Sequence, residues 1–263
     1  MENTFWNLLL IGLATVCVIM AVSWVAAKKV DNYSLVDAVW AFCFMVLTGL
    51  FAYLGTGWET RRTVIFIMVG LWSFRLGYFL ARRIESHHPK EDSRYLKLRE
   101  DYGKNVAMRF FLFFQMQAVS VSILTVIFLE IVMNPEPQLH PLEIIGTIVW
   151  GLSLLGEAIA DGQMSRFKSK PENKGKNCEV GLWKYSRHPN YFFESCIWWG
   201  YFIFALGTPG TVYTIYCPLI ILFLLLKVTG VPPAEAQSIK SRGQKYRDYQ
   251  RRTSVFIPWF PKA

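Results

Sequence analysis

Residues 181–194, GLWKYSRHPNYFFE, place ionisable, amide and hydroxyl side chains against the start of an apolar run. A charged group inside a bilayer costs about 3 kcal/mol or more on insertion scales, so such groups are expected to face protein, a polar cavity or a ligand. Asn190 and Glu194 lie at this boundary. The stretch therefore predicts a membrane helix whose polar start forms a binding site.

The composition on either side of this stretch is typical of a multipass membrane protein. The 263 residues are 53% hydrophobic and 16% aromatic, above the roughly 45–50% apolar content of globular chains. Seven segments have nearly the length that crosses the hydrocarbon core: 5–27, 35–54, 63–81, 110–133, 143–161, 191–206 and 211–230. The predicted fold class is all-α, with seven transmembrane helices and a cytoplasmic C-terminal helix that begins after Pro232 and Pro233.

The basic residues are distributed very unevenly on this map. Of the 28 Lys and Arg residues, only Arg61 and Arg62 lie on one side, and Arg75 and Lys227 lie inside spans. The positive-inside rule then places the N-terminus outside and the C-terminus in the cytoplasm. The net charge of +9 follows from this topology and from attraction to anionic headgroups or an anionic ligand, so we expect no nucleic-acid partner.

The sequence lacks two common signals. No basic region precedes the first apolar run, so we expect the first span to be retained rather than cleaved as a signal peptide. The five cysteines have no CxxC-type spacing, so neither a metal site nor a disulfide framework is predicted.

Glu157, Asp161 and Gln163 form the first candidate constellation, at the end of the fifth predicted span. The two acids are four residues apart and share a helix face. Carboxylates at this depth need hydrogen-bond donors or cations. The hydroxyl and amide groups of a sugar or nicotinamide would serve, and so would an ion network with nearby Arg or Lys residues; both interpretations stay open.

The second constellation begins at Arg187 and His188, just before Pro189. Proline suits the first position of a helix, so Asn190 and Glu194 share one face at a helix N-terminus. Free backbone amides there attract anions such as phosphate. A phosphate-bearing cofactor is therefore a reasonable ligand.

An aromatic belt at the membrane interface is the alternative explanation for this segment. Trp183, Tyr185 and Tyr191 are suited to such a belt. The belt accounts for the aromatic residues but not for Asn190 with Glu194.

A third constellation lies nearer the N-terminus and contains Tyr33, Asp37, Arg75, Arg82 and Arg83. Asp37 and Arg75 fall inside the second and third predicted spans, so we expect a buried contact between them if those helices adjoin. Snorkelling of Asp37 to the interface is the alternative.

Together these segments resemble the steroid 5-alpha-reductase superfamily, and more narrowly its bacterial branch described as a domain of unknown function, DUF1295. The resemblance rests on six segments: 34–40 (SLVDAVW), 75–77 (RLG), 157–163 (EAIADGQ), 166–168 (RFK), 181–194 and 246–258 (YRDYQRRTSVFIP). The resemblance implies a single transmembrane domain over 1–263, with substrate-side helices at about 5–133 and a cofactor half at about 143–263.

The resemblance also implies an activity. The family is similar in using NADPH to reduce an activated carbon–carbon double bond, so we expect an oxidoreductase of lipid metabolism, integral to a bacterial inner membrane with a cytoplasmic cofactor site. A lipophilic substrate would enter from the bilayer, and no protein partner is indicated. The cofactor-side candidates are Arg75, Arg82, Arg83, Glu157, Asp161, Gln163, Lys168, Tyr185, Arg187, His188, Asn190, Tyr191, Glu194, Glu235, Tyr246 and Tyr249.

On the substrate side, family members polarise a carbonyl with an acid and a tyrosine near the N-terminal spans. Here Trp72 stands where that tyrosine would be expected, so Asp37 and Tyr33 are the catalytic candidates. A protonated Asp37 would stabilise charge on the carbonyl oxygen, provided that no adjacent Arg holds it ionised.

Two other functions remain open at this point. An isoprenylcysteine-methyltransferase-like enzyme shares an Arg-His-Pro-Tyr type of motif and a Tyr-x-x-Tyr helix but binds S-adenosylmethionine. Such enzymes usually carry a Glu-Glu pair, whereas this chain has the single Glu235. A non-catalytic sterol- or lipid-binding membrane protein would need no nucleotide site.

Overall fold

The computed structural model describes residues 4–262, and this part of the chain is helical with no β-strand. The all-α prediction is confirmed. The α-helices in this range are α1 Phe5–Lys29, α2 Leu35–Leu54, α3 Glu59–His87, α4 Ser93–Tyr102, α5 Val106–Met133, α6 Pro141–Lys168, α7 Pro189–Ala205, α8 Tyr216–Phe223, α9 Val231–Arg242 and α10 Gln244–Arg252.

Within the described residues, six helical segments are long and apolar enough to cross a membrane, as an integral multipass protein requires. They are Phe5–Lys29, Leu35–Leu54, Glu59–His87, Ser93–Met133, Pro141–Lys168 and Thr211–Arg242. The predicted span at 191–206 corresponds to α7, which has only 17 residues. A helix of that length is about 25 Å long, somewhat less than a typical hydrocarbon core. Seven spans therefore remain a prediction, and six are supported by length and composition.

The chain divides into two compact units, Met1–Leu139 and His140–Ala263. Unit 1 contains α1 to α5 and unit 2 contains α6 to α10. The division falls between the two halves distinguished in the sequence, and a single domain over the whole chain stays a prediction.

In unit 1, small residues bring helices close together. A Cβ at Gly12 would lie 2.8 Å from the Phe51 ring. At the loop after α5, the fully buried Arg61 donates to the carbonyls of Asn134, Glu136 and Gln138 at 3.1, 2.7 and 2.6 Å. Arg61 thus fixes the conformation of this loop.

In unit 2, α6 and α7 form a tight antiparallel pair, and three glycines make the close approach possible. A Cβ at Gly146 would lie 2.5 Å from the backbone nitrogen of Phe204, and one at Gly156 would lie 2.5 Å from the Phe193 ring. A Cβ at Gly200 would meet the Trp150 backbone at 2.8 Å. These contacts fix a register in which the C-terminal turns of α6 come level with the first turns of α7.

The C-terminal part of unit 2 is not one continuous helix. A π-helical turn, Leu224–Val228, follows α8, and α9 begins after Gly230 with prolines in its first turn. Gly243 has a φ of 56°, a left-handed conformation that glycine adopts without strain. The single C-terminal helix predicted after Pro232 is therefore two helices, α9 and α10.

Candidate functional site

The loop before α7 is fixed to the end of α6. Trp183 Nε1 donates to the carbonyl of Ala160 at 2.8 Å, and the backbone N–H of Leu182 donates to Gln163 Oε1 at 2.9 Å. Gly181 has a φ of 55°, and a Cβ there would lie 2.3 Å from the Gln163 amide. Gln163 therefore supports this loop, a role that its spacing from Asp161 did not indicate.

Arg187 joins this loop to the C-terminal helices. Its Nε donates to Glu235 Oε1 at 2.7 Å, and its Nη1 donates to the carbonyls of Gln250 and Thr253 at 2.9 and 2.6 Å. A guanidinium suits this position because its planar donors reach several acceptors at once.

Glu235 is the centre of a hydrogen-bond network that also contains Arg187, His188, Tyr246 and Gln250. Its Oε1 also lies 3.3 Å from His188 Nε2, and its Oε2 accepts from Gln250 Nε2 at 2.7 Å. The Tyr246 hydroxyl lies 3.5 Å from Oε1. Both carboxylate oxygens are thus engaged by the protein, so Glu235, Arg187 and Tyr246 hold the site together.

His188 connects this network to α7. Its ring stacks on Tyr191, with centroids 5.3 Å apart and planes 5° apart, and its carbonyl accepts from the Phe192 amide at 3.1 Å. The network therefore sets the position of the first turn of α7.

The C-terminal strap, residues 253–262, lies along the same loop. The Arg187 amide donates to the Ser254 carbonyl at 2.9 Å, and the Ser186 hydroxyl donates to the Phe256 carbonyl at 2.7 Å. The Trp259 amide donates to the carbonyl of Tyr185 at 2.9 Å. Tyr185 is thus held by its backbone.

Tyr249 is buried beneath this loop and donates its hydroxyl to the carbonyl of Trp183. Burial raises the pKa of Tyr249, so its hydroxyl remains a donor at neutral pH. Tyr249 contributes to the position of the loop.

Asn190, in the first turn of α7, is different from these residues. Its side-chain oxygen Oδ1 is buried, and within residues 4–262 it has no hydrogen-bond partner. A buried acceptor left unsatisfied costs about 1–3 kcal/mol, and such groups in native proteins call for an explanation. A ligand that donates a hydrogen bond would satisfy it.

Three carboxylates lie at about the same height as Asn190 along the paired helices α6 and α7. Glu194, one turn further along α7, accepts from Trp198 Nε1 at 3.1 Å. The register of α6 and α7 brings Glu157, which is buried, and Asp161, which is half-buried, level with this turn. The site is therefore rich in acceptors and suited to a ligand with several N–H or O–H donors.

An open cleft of about 410 Å³ lies at the C-terminal end of α6. Its lining includes Gln163, Arg166, Phe167, Lys170 and Gly181. Lys168 is exposed on the same turn of α6. Cations at this end of α6 provide positive charge suited to a phosphate group.

In unit 1, the structure corrects the expectation for Asp37. Arg94 Nη2 donates to Asp37 Oδ2 at 2.8 Å, and the Tyr95 hydroxyl donates to Oδ1 at 2.6 Å. The expected partner, Arg75, is not the one that binds this carboxylate. An arginine therefore lies beside Asp37, which is the circumstance under which Asp37 was not expected to act as the donor.

Tyr33 is held by packing on both faces of its ring. Phe110 stacks on it with centroids 3.9 Å apart, and the Arg99 guanidinium lies 4.7 Å from the ring centroid. Its amide donates to Glu91, which also binds Arg99. These contacts give Tyr33 a structural role in joining the α1–α2 loop to α4.

The basic candidates of α3 have different environments. Arg75 is half-buried. Arg82 and Arg83 are exposed and form ion pairs with Glu85 and Asp92 at 2.8 and 2.9 Å. The Arg82–Glu85 pair is exposed on both sides and therefore weak, so Arg82 remains able to meet an anionic group. Asp92, the partner of Arg83, is only 16% exposed.

Sequence reasoning missed Arg94 and Tyr95 as partners of Asp37. They lie 57 and 58 residues away along the chain, so no local spacing links them. The N-cap of α4 at Asp92, whose side chain accepts from the Arg94 amide, was the available signal that a helix presents this pair.

Comparison with known proteins gives the family. The profile of a family described as "Protein of unknown function (DUF1295)" matches residues 23–253. The chain therefore belongs to the DUF1295 family, which is part of the steroid 5-alpha-reductase-like superfamily. An uncharacterised protein of Schizosaccharomyces pombe is 24% identical over 96% of this chain and 80% of its own length. No solved structure matches the chain.

Proposed function

We propose that the protein is a membrane-embedded, NADPH-dependent reductase that reduces the activated carbon–carbon double bond of an enone in a lipid or steroid-like substrate. The observation that carries the proposal is the buried Oδ1 of Asn190, which has no hydrogen-bond partner in the part of the chain that the structure describes. Membership of the DUF1295 family supports it.

The donor requirement at Asn190 fits a nicotinamide nucleotide. A carboxamide N–H or a ribose hydroxyl would satisfy Oδ1, and Glu157, Asp161 and Glu194 offer further acceptors. The N-terminus of α7 adds a favourable field for a phosphate group.

Cations at the end of α6 support a preference for the phosphorylated cofactor. Arg166 and Lys170 line the open cleft, and Lys168 lies between them in the sequence. We assign these residues to the 2′-phosphate, since an arginine commonly accommodates this group in other NADP-binding folds.

The hydrogen-bond network around Glu235 pre-organises the site for its ligand. The pairs Arg187–Glu235 and His188–Tyr191 hold the first turn of α7 in place before the ligand binds, which lowers the cost of ordering. When bound, NADPH would supply a hydride to the β carbon of the enone, and a proton from a protein group or water would complete the α carbon. The protein orients the reactants and excludes water.

We propose that a hydrogen-bond donor positioned at the carbonyl oxygen of the substrate stabilises the charge that develops there. The Tyr95 hydroxyl donates its one proton to Asp37, and Asp37 is paired with Arg94, so we assign this role to neither residue.

The proposal includes a topology of seven spans with α7 as a short one, a cytoplasmic C-terminus and entry of the substrate from the bilayer. The one-sided distribution of Lys and Arg supports it. Cytoplasmic loops of a bacterial inner-membrane protein would carry this excess.

Turnover in reconstituted membranes tests the function. The purified protein in nanodiscs would receive NADPH and a panel of enone lipids, with cofactor oxidation followed optically and products by mass spectrometry. We expect a product two hydrogens heavier, with deuterium from 4-deuterated cofactor at the β carbon. Absence of turnover with every enone, together with methyl transfer from S-adenosylmethionine to a lipid or thiol, would contradict the proposal.

One observation weighs against the methyltransferase. Its usual Glu-Glu pair is reduced here to Glu235, and both oxygens of that residue are engaged by Arg187, His188 and Gln250. Binding of sterol without any response to nucleotides would instead favour a lipid-binding protein.

A further inference from the structure

The C-terminal strap presents a row of apolar side chains to its surroundings. Ile257, Trp259 and Phe260 are 61%, 69% and 76% exposed. Phe256 is buried, whereas its neighbours Val255 and Ile257 are exposed. The strap therefore packs on the protein at Phe256 and leaves its other large apolar side chains uncovered.

This exposed side is fixed in place. Hydrogen bonds at Ser254, Phe256 and Trp259 hold the strap to the loop before α7. Large apolar groups held toward water in an ordered segment are unusual in soluble proteins and mark an interaction surface.

The surroundings of the strap identify the kind of partner. Trp259 is bonded to Tyr185, and the Phe260 ring lies edge-on to that of Tyr185 at 5.9 Å. Tyr185 lies shortly before the apolar helix α7, where the membrane boundary is expected. Tryptophan and other aromatic residues favour this interface.

The positive charge of α10 is consistent with a membrane surface as the partner of the strap. Its buried side carries Tyr246 and Tyr249, and its exposed side carries mostly cations. The exposed cations are Lys245, Arg247, Arg251 and Arg252. Basic residues next to exposed aromatic ones are typical of segments that lie on anionic membranes.

We propose that the C-terminal strap docks into the headgroup layer of an anionic bilayer, with Ile257, Trp259 and Phe260 among the lipids and the cations of α10 on phosphate groups. The strap holds Ser186 and Arg187, so docking stabilises the loop that leads into α7. This inference is independent of the proposed reductase activity.

Fluorescence quenching of the full-length protein in nanodiscs tests the docking. The signal of Trp259 is the difference between wild type and Trp259→Phe, a variant that keeps an aromatic ring. In nanodiscs of phosphatidylcholine and phosphatidylglycerol, we expect brominated acyl chains to quench this signal and aqueous iodide to leave it nearly unchanged. Quenching by iodide and not by brominated lipid would overturn the proposal.

A matched pair of variants tests the charge. Arg247→Gln with Arg251→Gln should reduce lipid quenching of Trp259 in the anionic nanodiscs, whereas Lys97→Gln with Lys104→Gln, the same charge change on exposed residues of unit 1, should not. Equal effects of both pairs would contradict a role for α10. Shielding of Trp259 in lipid-free detergent by a concentration-dependent dimer would assign the strap to a second copy instead.

Discussion

The two units each contain carboxylates paired with arginines, but they differ in the kind of buried atom that remains unsatisfied beside these pairs. In unit 1, Asp37 and Glu91 bind Arg94 and Arg99, and their oxygens also accept from Tyr95 and a backbone amide. In unit 2, the Arg187–Glu235 pair is equally engaged, yet the buried oxygen of the adjacent Asn190 has no partner among the described residues. Beside the pairs of unit 1, the side-chain nitrogen of the buried Asn32 has no partner among the described residues, so the unsatisfied atom there is a donor. In unit 2 it is an acceptor, which a ligand with N–H or O–H groups would satisfy.

The largest effect is expected from Glu235→Ala. Removal of this carboxylate leaves Arg187, only 10% exposed, without its charge partner, and breaking a buried pair costs about 3 kcal/mol or more. The temperature of unfolding in detergent should fall markedly. Glu179→Ala, which breaks the exposed pair with Arg252, should cost less than about 1 kcal/mol. Similar losses in the two variants would show that the contacts of Glu235 do not support unit 2.

Tyr95→Phe and Asp37→Asn test the contacts of Asp37 with Arg94 and Tyr95 in unit 1. Each removes a hydrogen bond to a charged group, worth about 1.5–3 kcal/mol. Because these contacts lie within unit 1, both variants should lower the unfolding temperature while NADPH affinity is kept. Thermal unfolding and cofactor titration on the same samples separate the two effects. An unchanged unfolding temperature in both variants would contradict the structural role of these contacts.

Arg166→Ala combined with Lys170→Ala tests the phosphate end of the site. Loss of these two cations should reduce the preference for NADPH over NADH about tenfold, or ~1.4 kcal/mol. Parallel titrations with the two cofactors measure the ratio. Lys97→Ala with Lys104→Ala serves as the control, and an unchanged ratio in the double variant at the cleft would place the 2′-phosphate elsewhere.

The smallest effect concerns the pH dependence of unit 1. Burial favours the neutral form of Asp92, but its hydrogen bonds to Arg94 and the charges of Arg94 and Arg83 outweigh burial and lower its pKa. A lowered folded-state pKa means that this stabilisation is complete above the ordinary aspartate pKa and is lost as the pH falls through the folded-state value. Unfolding temperatures of wild type should therefore fall slightly more at acid pH than those of Asp92→Asn, which keeps a good N-cap residue. Parallel profiles for the two proteins would contradict this contribution.

The parts of the fold that depend on local sequence were predictable. Apolar length alone identifies α1, α2 and α6 as membrane-spanning, because hydropathy is a local property. Pro189 marks the start of α7 for the same reason. Gly243 was an overlooked signal, since a glycine inside a helical pattern is compatible with a break.

The candidate site was predictable only where its residues are close in sequence. Asn190 and Glu194 share a helix face, and their motif pointed to them. The pairings of Asp37 with Arg94 and of Arg187 with Glu235 span 57 and 48 residues, and tertiary packing decides them. In the structure, Glu235 and Gln163, which were candidate ligand contacts, bind Arg187 and Leu182 and so position the loop before α7.

Calorimetric titration in nanodiscs decides whether Asn190 binds the cofactor. NADPH is titrated into wild type and Asn190→Ala, beside NADH and S-adenosylmethionine. We expect saturable binding of NADPH to wild type, weakened at least about tenfold in Asn190→Ala because a hydrogen bond worth about 1.4 kcal/mol is lost. The unfolding temperature of Asn190→Ala should stay the same or rise. Equal affinity of NADPH for both proteins, or binding of S-adenosylmethionine in its place, would contradict this expectation.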